Sequence, residues 1–221
     1  MFHRHHTRSV TTHAALAAAA FAILAAGPAV AHPHVWIVSQ SDIVFDEARR
    51  FTGIRQSWTF DEAYSAFMTI NLDADKDGVP DADKLAELAK TNLASLAEFE
   101  YFTHAKANGK SVAFGPPEEP RQTFSDGRLH LEFMLPVKTP AAAPKVMVLT
   151  VDDPSFFVAF SLAPGADAVR LAGPKTGCAL NITRPAQVAE VGKQIVPDEV
   201  AASTAPGVVG DYTSRAILAC P

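Results

Sequence analysis

Apolar residues along this chain cluster or alternate in segments of strand length, and two stretches carry a helical repeat instead. HVWIVSQSDIVF (34–45) and FTGIRQSWTF (51–60) are rich in Val, Ile and aromatics and flank the polar EARR at 47–50, which predicts a hairpin. In DEAYSAFM, Tyr64, Phe67 and Met68 fall three and four apart, so a short helix entering at Thr59 or Asp61 is expected. Leu85, Leu88, Ala89, Leu93 and Leu96 repeat at helical spacing through DKLAELAKTNLASLAEF. This amphipathic helix needs a sheet to lie on.

The second half supplies more strands. EYFTHAKA and KSVAF flank Asn108-Gly109, whose tolerance of positive φ suits a type I′ turn. RQTF and RLHLEFML flank Ser125-Asp126-Gly127 in the same way, and VMVLTV and FFVAFSL, either side of Asp152-Asp153-Pro154, are expected to pair. The expected fold is α+β: mainly antiparallel β-sheet built from hairpins, with two helices inserted in the first half. No internal repeat and no interdomain linker is visible. The Ala, Val, Pro and Gly-rich run from 185 has no clear pattern, so 185–221 is expected to be an irregular C-terminal segment.

The start of the chain changes the picture of where this domain works. Residues 1–13 carry Arg4 and Arg8 and no acid; residues 14–26, AALAAAAFAILAA, are almost pure hydrocarbon; Ala29-Val30-Ala31 follows. A charged start, a short apolar middle and an A-x-A end read as a signal peptide spanning 1–31, cleaved before His32. A membrane span would need about twenty apolar residues, and Gly27 and Pro28 break this run. The expected product is a single periplasmic domain, 32–221, with no membrane anchor after cleavage. Losing residues 1–31 removes two arginines, so the formal charge moves from −5 to −7. That acidic balance, without a basic patch, argues against nucleic acid as a partner.

Cys178 and Cys220 are the chain's two cysteines. Neither has a second thiol or a histidine at ligand spacing, and in an oxidising compartment an isolated pair is expected as a disulfide tying down the tail. The alternative is a pair of thiols acting as soft metal ligands.

Cleavage would make His32 the new amino terminus. Its α-amino group and the Nδ1 of its own ring can then chelate one ion together, with the His34 ring as a third nitrogen. Both group types titrate near neutrality. Pro33 has no amide hydrogen to lose, so a chelate through successive backbone amides is blocked, and a histidine-brace-like or mixed imidazole site is the option left. His104 and His130 are possible completing ligands, and Asp61 a possible oxygen ligand; read plainly, His34, His104 and His130 are ordinary strand residues. Imidazole suits nickel, cobalt, zinc and copper alike, so the metal is not named by the ligands.

The loop LDADKDGVPDADKL is a candidate for calcium. Asp73, Asp75, Asp77 and Asp81 stand at positions 1, 3, 5 and 9 of a calcium-loop pattern, and Gly78 at the sharp sixth position. Position 12 holds Lys84 where a bidentate acid belongs, with Asp83 one residue early as a substitute. The plain alternative is a solvated acidic turn whose Asp81 caps the helix that follows. For catalysis, the nucleophile elbow, the zinc-protease motif and both glycine-rich phosphate loops are missing, so no enzyme activity is assigned.

Taken together, HPHVWI, WTFDEAYSAFM, DADKDG before KLAEL, YFTHAKANGK and DDPSFFVAF resemble a bacterial periplasmic family of unknown function. Its members are commonly described as the periplasmic component of an uncharacterised ABC-type transport system. The resemblance covers most of residues 32–162. It falls on His32, Pro33 and His34, on Trp58, Phe60 and Asp61, and on Asp153 and Pro154; Lys84 departs from the calcium pattern. It implies metal traffic, since members are often encoded beside nickel/cobalt permeases. The expected function is therefore a periplasmic metal-binding accessory protein serving an inner-membrane transporter. The alternatives are a non-metal envelope binding or structural module and a copper oxidase or oxygenase with an amino-terminal histidine brace.

Overall fold

The computed structural model describes residues 33–174, 177–184 and 213–221. Its elements run β1 (Val35–Phe45), β2 (Arg50–Phe60), α1 (Glu62–Met68), α2 (Ala82–Leu96), β3 (Thr103–Ala107), β4 (Lys110–Ser111), β5 (Glu118–Ser125) and β6 (Arg128–Ala142). They continue with β7 (Val146–Val151), β8 (Val158–Leu162), β9 (Val169–Ala172), β10 (Ala179–Thr183) and β11 (Arg215–Ala219). Fold class is as the patterning predicts: α+β, with mostly antiparallel sheet.

Two sheets form. The first has the order β5-β6-β2-β1-β8, with β9 also pairing β1; the second has the order β10-β11-β7-β3-β4. β1 alternates strictly between buried and partly exposed positions, and β2 from Ile54 onward and β6 as far as Val137 do the same, the mark of a sheet with one solvated face. The buried face is covered twice. At one end α1 and α2 lie on Val35, Ile37, Trp58, Phe60, Leu129 and Leu131, with Leu85, Ala89 and Leu93 as the buried stripe of α2. At the other, Ile43, Phe45, Phe51 and Ile54 meet Met147, Leu149, Ala216 and Leu218 of the second sheet. Each fully buried side chain of this kind stabilises the fold by roughly 1.5–3 kcal/mol.

Between the two halves sits a polar chain. Ser41 Oγ donates to Gln56 Oε1 at 2.8 Å, Gln56 Nε2 to Thr103 Oγ1 at 2.9 Å, and Thr103 Oγ1 to the carbonyl of Tyr101 at 2.9 Å. These groups are buried yet bonded, so their burial carries no large penalty. The bonds also pin the start of β3 to β2 across the core.

The β1–β2, β3–β4 and β5–β6 hairpins form as expected, with Asn108, Gly109, Asp126 and Gly127 all at positive φ. The expected pairing of VMVLTV with FFVAFSL does not. β7 is flanked by β3 and β11, so neither edge is left for β8, which runs parallel to β1 in the other sheet. The link between them is a redirecting loop. The Asp153 carboxylate accepts hydrogen bonds from the backbone N–H of Ser155 (2.9 Å) and Val158 (3.0 Å), and Phe156 stands at φ 58°.

The reading of 185–221 as irregular is corrected at its end: Arg215–Ala219 is a strand inside the second sheet, burying Ala216 and Leu218 between β10 and β7. Residues 185–212 lie outside the described residues. The Cys178–Cys220 disulfide is formed, with S–S at 2.03 Å, joining the segments beside β10 and β11. In α1 only part of the apolar pattern faces the core: Tyr64 and Met68 pack against it and Phe67 does not. Phe67 is 69% exposed, and the buried residue is Ser65, whose Oγ accepts from the Leu129 N–H at 2.9 Å.

Candidate functional site

Three of the motifs singled out above meet at one end of the first sheet. β1 starts there, β2 ends there and β8 starts there, with Ile37 opposite Phe60 and Val35 opposite Val158. His32 lies outside the described residues, as does the proposed signal peptide. His34 is exposed; its backbone N–H donates to the Phe157 carbonyl at 2.9 Å and its ring lies 4.7 Å from the Phe157 ring.

Asp61 links β1 to the first helix. Its Oδ1 accepts from the Tyr64 N–H at 2.8 Å, capping α1, and its Oδ2 accepts from the Trp36 N–H at 2.9 Å. The backbone closes the same junction, Asp61 N–H donating to the Trp36 carbonyl at 2.9 Å. One carboxylate oxygen and the backbone N–H of Asp61 thus hold the amino end of β1, while the other oxygen caps α1. Asp153 does the same for the start of β8, so this end of the sheet is held by two carboxylates bonded to backbone donors.

Behind the start of β1 lies a cavity of about 480 Å3 between α2 and the sheet, reaching from Val35 and Trp58 to Asp153, Ser155 and Phe157. Tyr64 also lines it. Its phenol is pushed above the ordinary tyrosine range, first by burial and then by the Asp61 charge, so at neutral pH it stays protonated. Asn92 and Ser95 of this wall carried no sequence signal, because nothing in their local pattern marks them. Only the DDPSFF motif pointed to the loop.

The other histidines stand apart. His130 is on the solvated face of β6, its Nδ1 3.0 Å from Thr59 Oγ1 and its Nε2 3.0 Å from Ser125 Oγ. Thr59 pairs with both His130 and Val38, so His130 is two strands across and four residues along from His34, roughly 16 Å by strand geometry. His104 is in the second sheet, opposite Thr150; its Nδ1 is 3.5 Å from a Glu100 carboxylate oxygen and its buried Nε2 has no hydrogen-bond partner. Neither histidine is brought to His34.

The Asp-rich loop does gather. Ligand atoms of Asp73, Asp75 and Asp81 lie within 4.8 Å of one another, and this is the one group of three or more His, Cys, Asp or Glu with that spacing among the described residues. The Gly78 N–H donates to Asp73 Oδ2 at 3.0 Å, and the Asp77 N–H is shared between Asp73 Oδ1 (3.1 Å) and Asp75 Oδ1 (3.3 Å). Asp77 itself turns to the Val79 N–H, and Asp83 is not in the group. Asp81 stands at the N-cap position of α2, but its side chain accepts from the Ala74 N–H at 3.3 Å instead of capping the helix. At Asp75 the Asp77 N–H favours the ionised form. The Asp77 charge, partial desolvation, the Asp73 hydrogen bond and the Asp81 charge outweigh it, and the carboxyl is held above its ordinary range.

Against known families, the chain matches the model described as Protein of unknown function (DUF1007) over residues 17–220. No curated protein matches it.

Proposed function

The chain belongs to that family of unknown function, and from the residues of this member we propose an exported, periplasmic accessory protein that holds a divalent transition metal for an inner-membrane transporter. Nickel, cobalt, zinc and copper are the metals the donor types suit. One observation carries the reading: exposed His34 opens β1 where the HPH, aromatic-acidic and Asp-Pro motifs meet.

The geometry narrows which donors such a site would use. Pro33 has no amide hydrogen, and the His34 amide already donates to the Phe157 carbonyl. Binding through successive backbone nitrogens would break that bond and free the start of β1. The donors that remain are the two imidazole rings and the terminal amine of His32. Asp61 and Asp153 act as supports, each fixing the start of one strand, β1 and β8, so that His34 is presented from a backbone held in place.

Calorimetry on the chain beginning at His32 tests the reading. Tight binding of at least one of the four metals is expected, weakened about a hundredfold either by one added residue before His32 or by His34→Ala, the scale of losing one ligand from a small site. No tight binding of any of them leaves a non-metal envelope module; unchanged affinity with the added residue eliminates the terminal amine.

The spacing of Asp73, Asp75 and Asp81, together with the Gly78 N–H bond to Asp73, favours a second, separate reading of the loop as a weak calcium site. Calcium heat that is lost on Asp75→Ala is the expected result. Absence of that heat leaves a solvated acidic turn.

A further inference from the structure

The cavity behind β1 offers a second kind of recognition, in which neither His32 nor a metal takes part. Its volume of about 480 Å3 falls within the range of small-molecule sites, roughly 300–1,000 Å3. Its wall is built by six aromatic residues: Trp58, Phe60 and Phe102, buried in the core, and Tyr64, Phe99 and Phe157 toward the outside. Phe99 and Phe157 are each about half exposed, so the aromatic lining continues to the mouth. Such a surface favours an apolar body of ring size, and its ring faces attract a cationic group.

Charge selects the other end of the ligand. Among the described residues no Lys, Arg or His lines the cavity, and its one carboxylate is Asp153. That carboxylate is held in place by Ser155 Oγ, at 2.7 and 2.9 Å from its two oxygens, and by the N–H groups of Ser155 and Val158. Ionised carboxylate oxygens have acceptor capacity beyond these bonds. An anionic head group would face Asp153 with no counter-charge, in a chain whose formal balance is already acidic. An ammonium would face Asp153 and the aromatic rim together.

We propose that this cavity binds a small organic cation, its apolar ring-sized body between α2 and the first sheet and its ammonium at Asp153.

A matched pair of probes with one ring system and opposite head charges tests this: 1-naphthylmethylammonium and 1-naphthylacetate, titrated calorimetrically into the metal-free chain beginning at His32. The cation is expected to bind at a single site, tighter than the acid by about tenfold or more. It should shift the indole N–H resonance of Trp58, identified by its persistence in Trp36→Phe. Ser95→Trp places bulk at the mouth from an exposed position of α2, so the fold is kept and affinity for the cation should fall about tenfold. Phe99→Ala removes part of the rim and should weaken binding in the same direction. Absence of single-site binding, an acid that binds as tightly as the cation, or a Ser95→Trp protein that binds as well as the parent overturns the proposal. Metal affinity at His32 and His34 is measured without the probes, so the two readings fail separately.

Discussion

Asp61 shows how one side chain serves two elements. It is the N-cap of α1 and also the acceptor for the Trp36 N–H of β1. An Asp that accepts two backbone donors cannot be replaced by Ala without orphaning both. The cap contributes about 1 kcal/mol and the unpaired, part-buried donor about 1–3 kcal/mol more. Asp61→Ala is therefore expected to lower unfolding stability by about 2–4 kcal/mol in urea titrations; a loss below about half a kcal/mol would mean that the two bonds are dispensable. Asp61→Asn keeps one acceptor oxygen and should retain part of that difference. The helix entry was visible in sequence, because an Asp before an apolar three-and-four pattern is a local signature. The bond to Trp36 was not, since the two residues are 25 apart in the chain.

At the next level up, the acidic loop leading into α2 sets its own charges against each other. Asp75 is fully exposed and its folded-state carboxyl is held above the ordinary range, so the folded form binds the proton more readily than the unfolded chain. The contribution of this residue to stability thus falls as pH rises from its ordinary value through its raised one, and at neutral pH ionised Asp75 is a net cost. Asp75→Asn keeps an oxygen for the Asp77 N–H and removes the repulsion. In chelator-treated protein it should raise the melting temperature at pH 7 and leave it unchanged at pH 3; a melting temperature lowered at pH 7 would contradict the like-charge account. The strands teach a different lesson. β1 and β2 were readable from composition and alternation, and so were the turns at Asn108-Gly109 and Asp126-Gly127. The partner of β8 was not: the sequence shows that FFVAFSL suits a strand, but the two edges of β7 were already taken by β3 and by β11 from the far end of the chain.

For the molecule entire, the second sheet depends on that returning end. β11 sits between β10 and β7, and the Cys178–Cys220 disulfide joins the segments flanking β10 and β11 across 42 residues of sequence. In the chain-entropy view, closing a loop of about forty residues stabilises the native state by roughly 3–4 kcal/mol. Replacing both cysteines by serine should cost about that much in denaturant unfolding, with weakened amide protection concentrated in β10 and β11. Equal protection throughout both sheets would show that the pairing of β11 with β7 suffices alone. Alternation, helical spacing, turn dipeptides and the cysteine pair are properties of neighbouring residues or of simple counting, so the amino-acid order alone specified the α+β class, both helices, three hairpins and the disulfide. Which strand borders which, the division of the core by Ser41, Gln56 and Thr103, the aromatic cavity beside His34 and the separation of His104 and His130 from it came from the folded chain. Each of these depends on contacts between segments distant in sequence, whose free energy is settled by packing and by which sheet edges remain unpaired, and no local pattern records that competition.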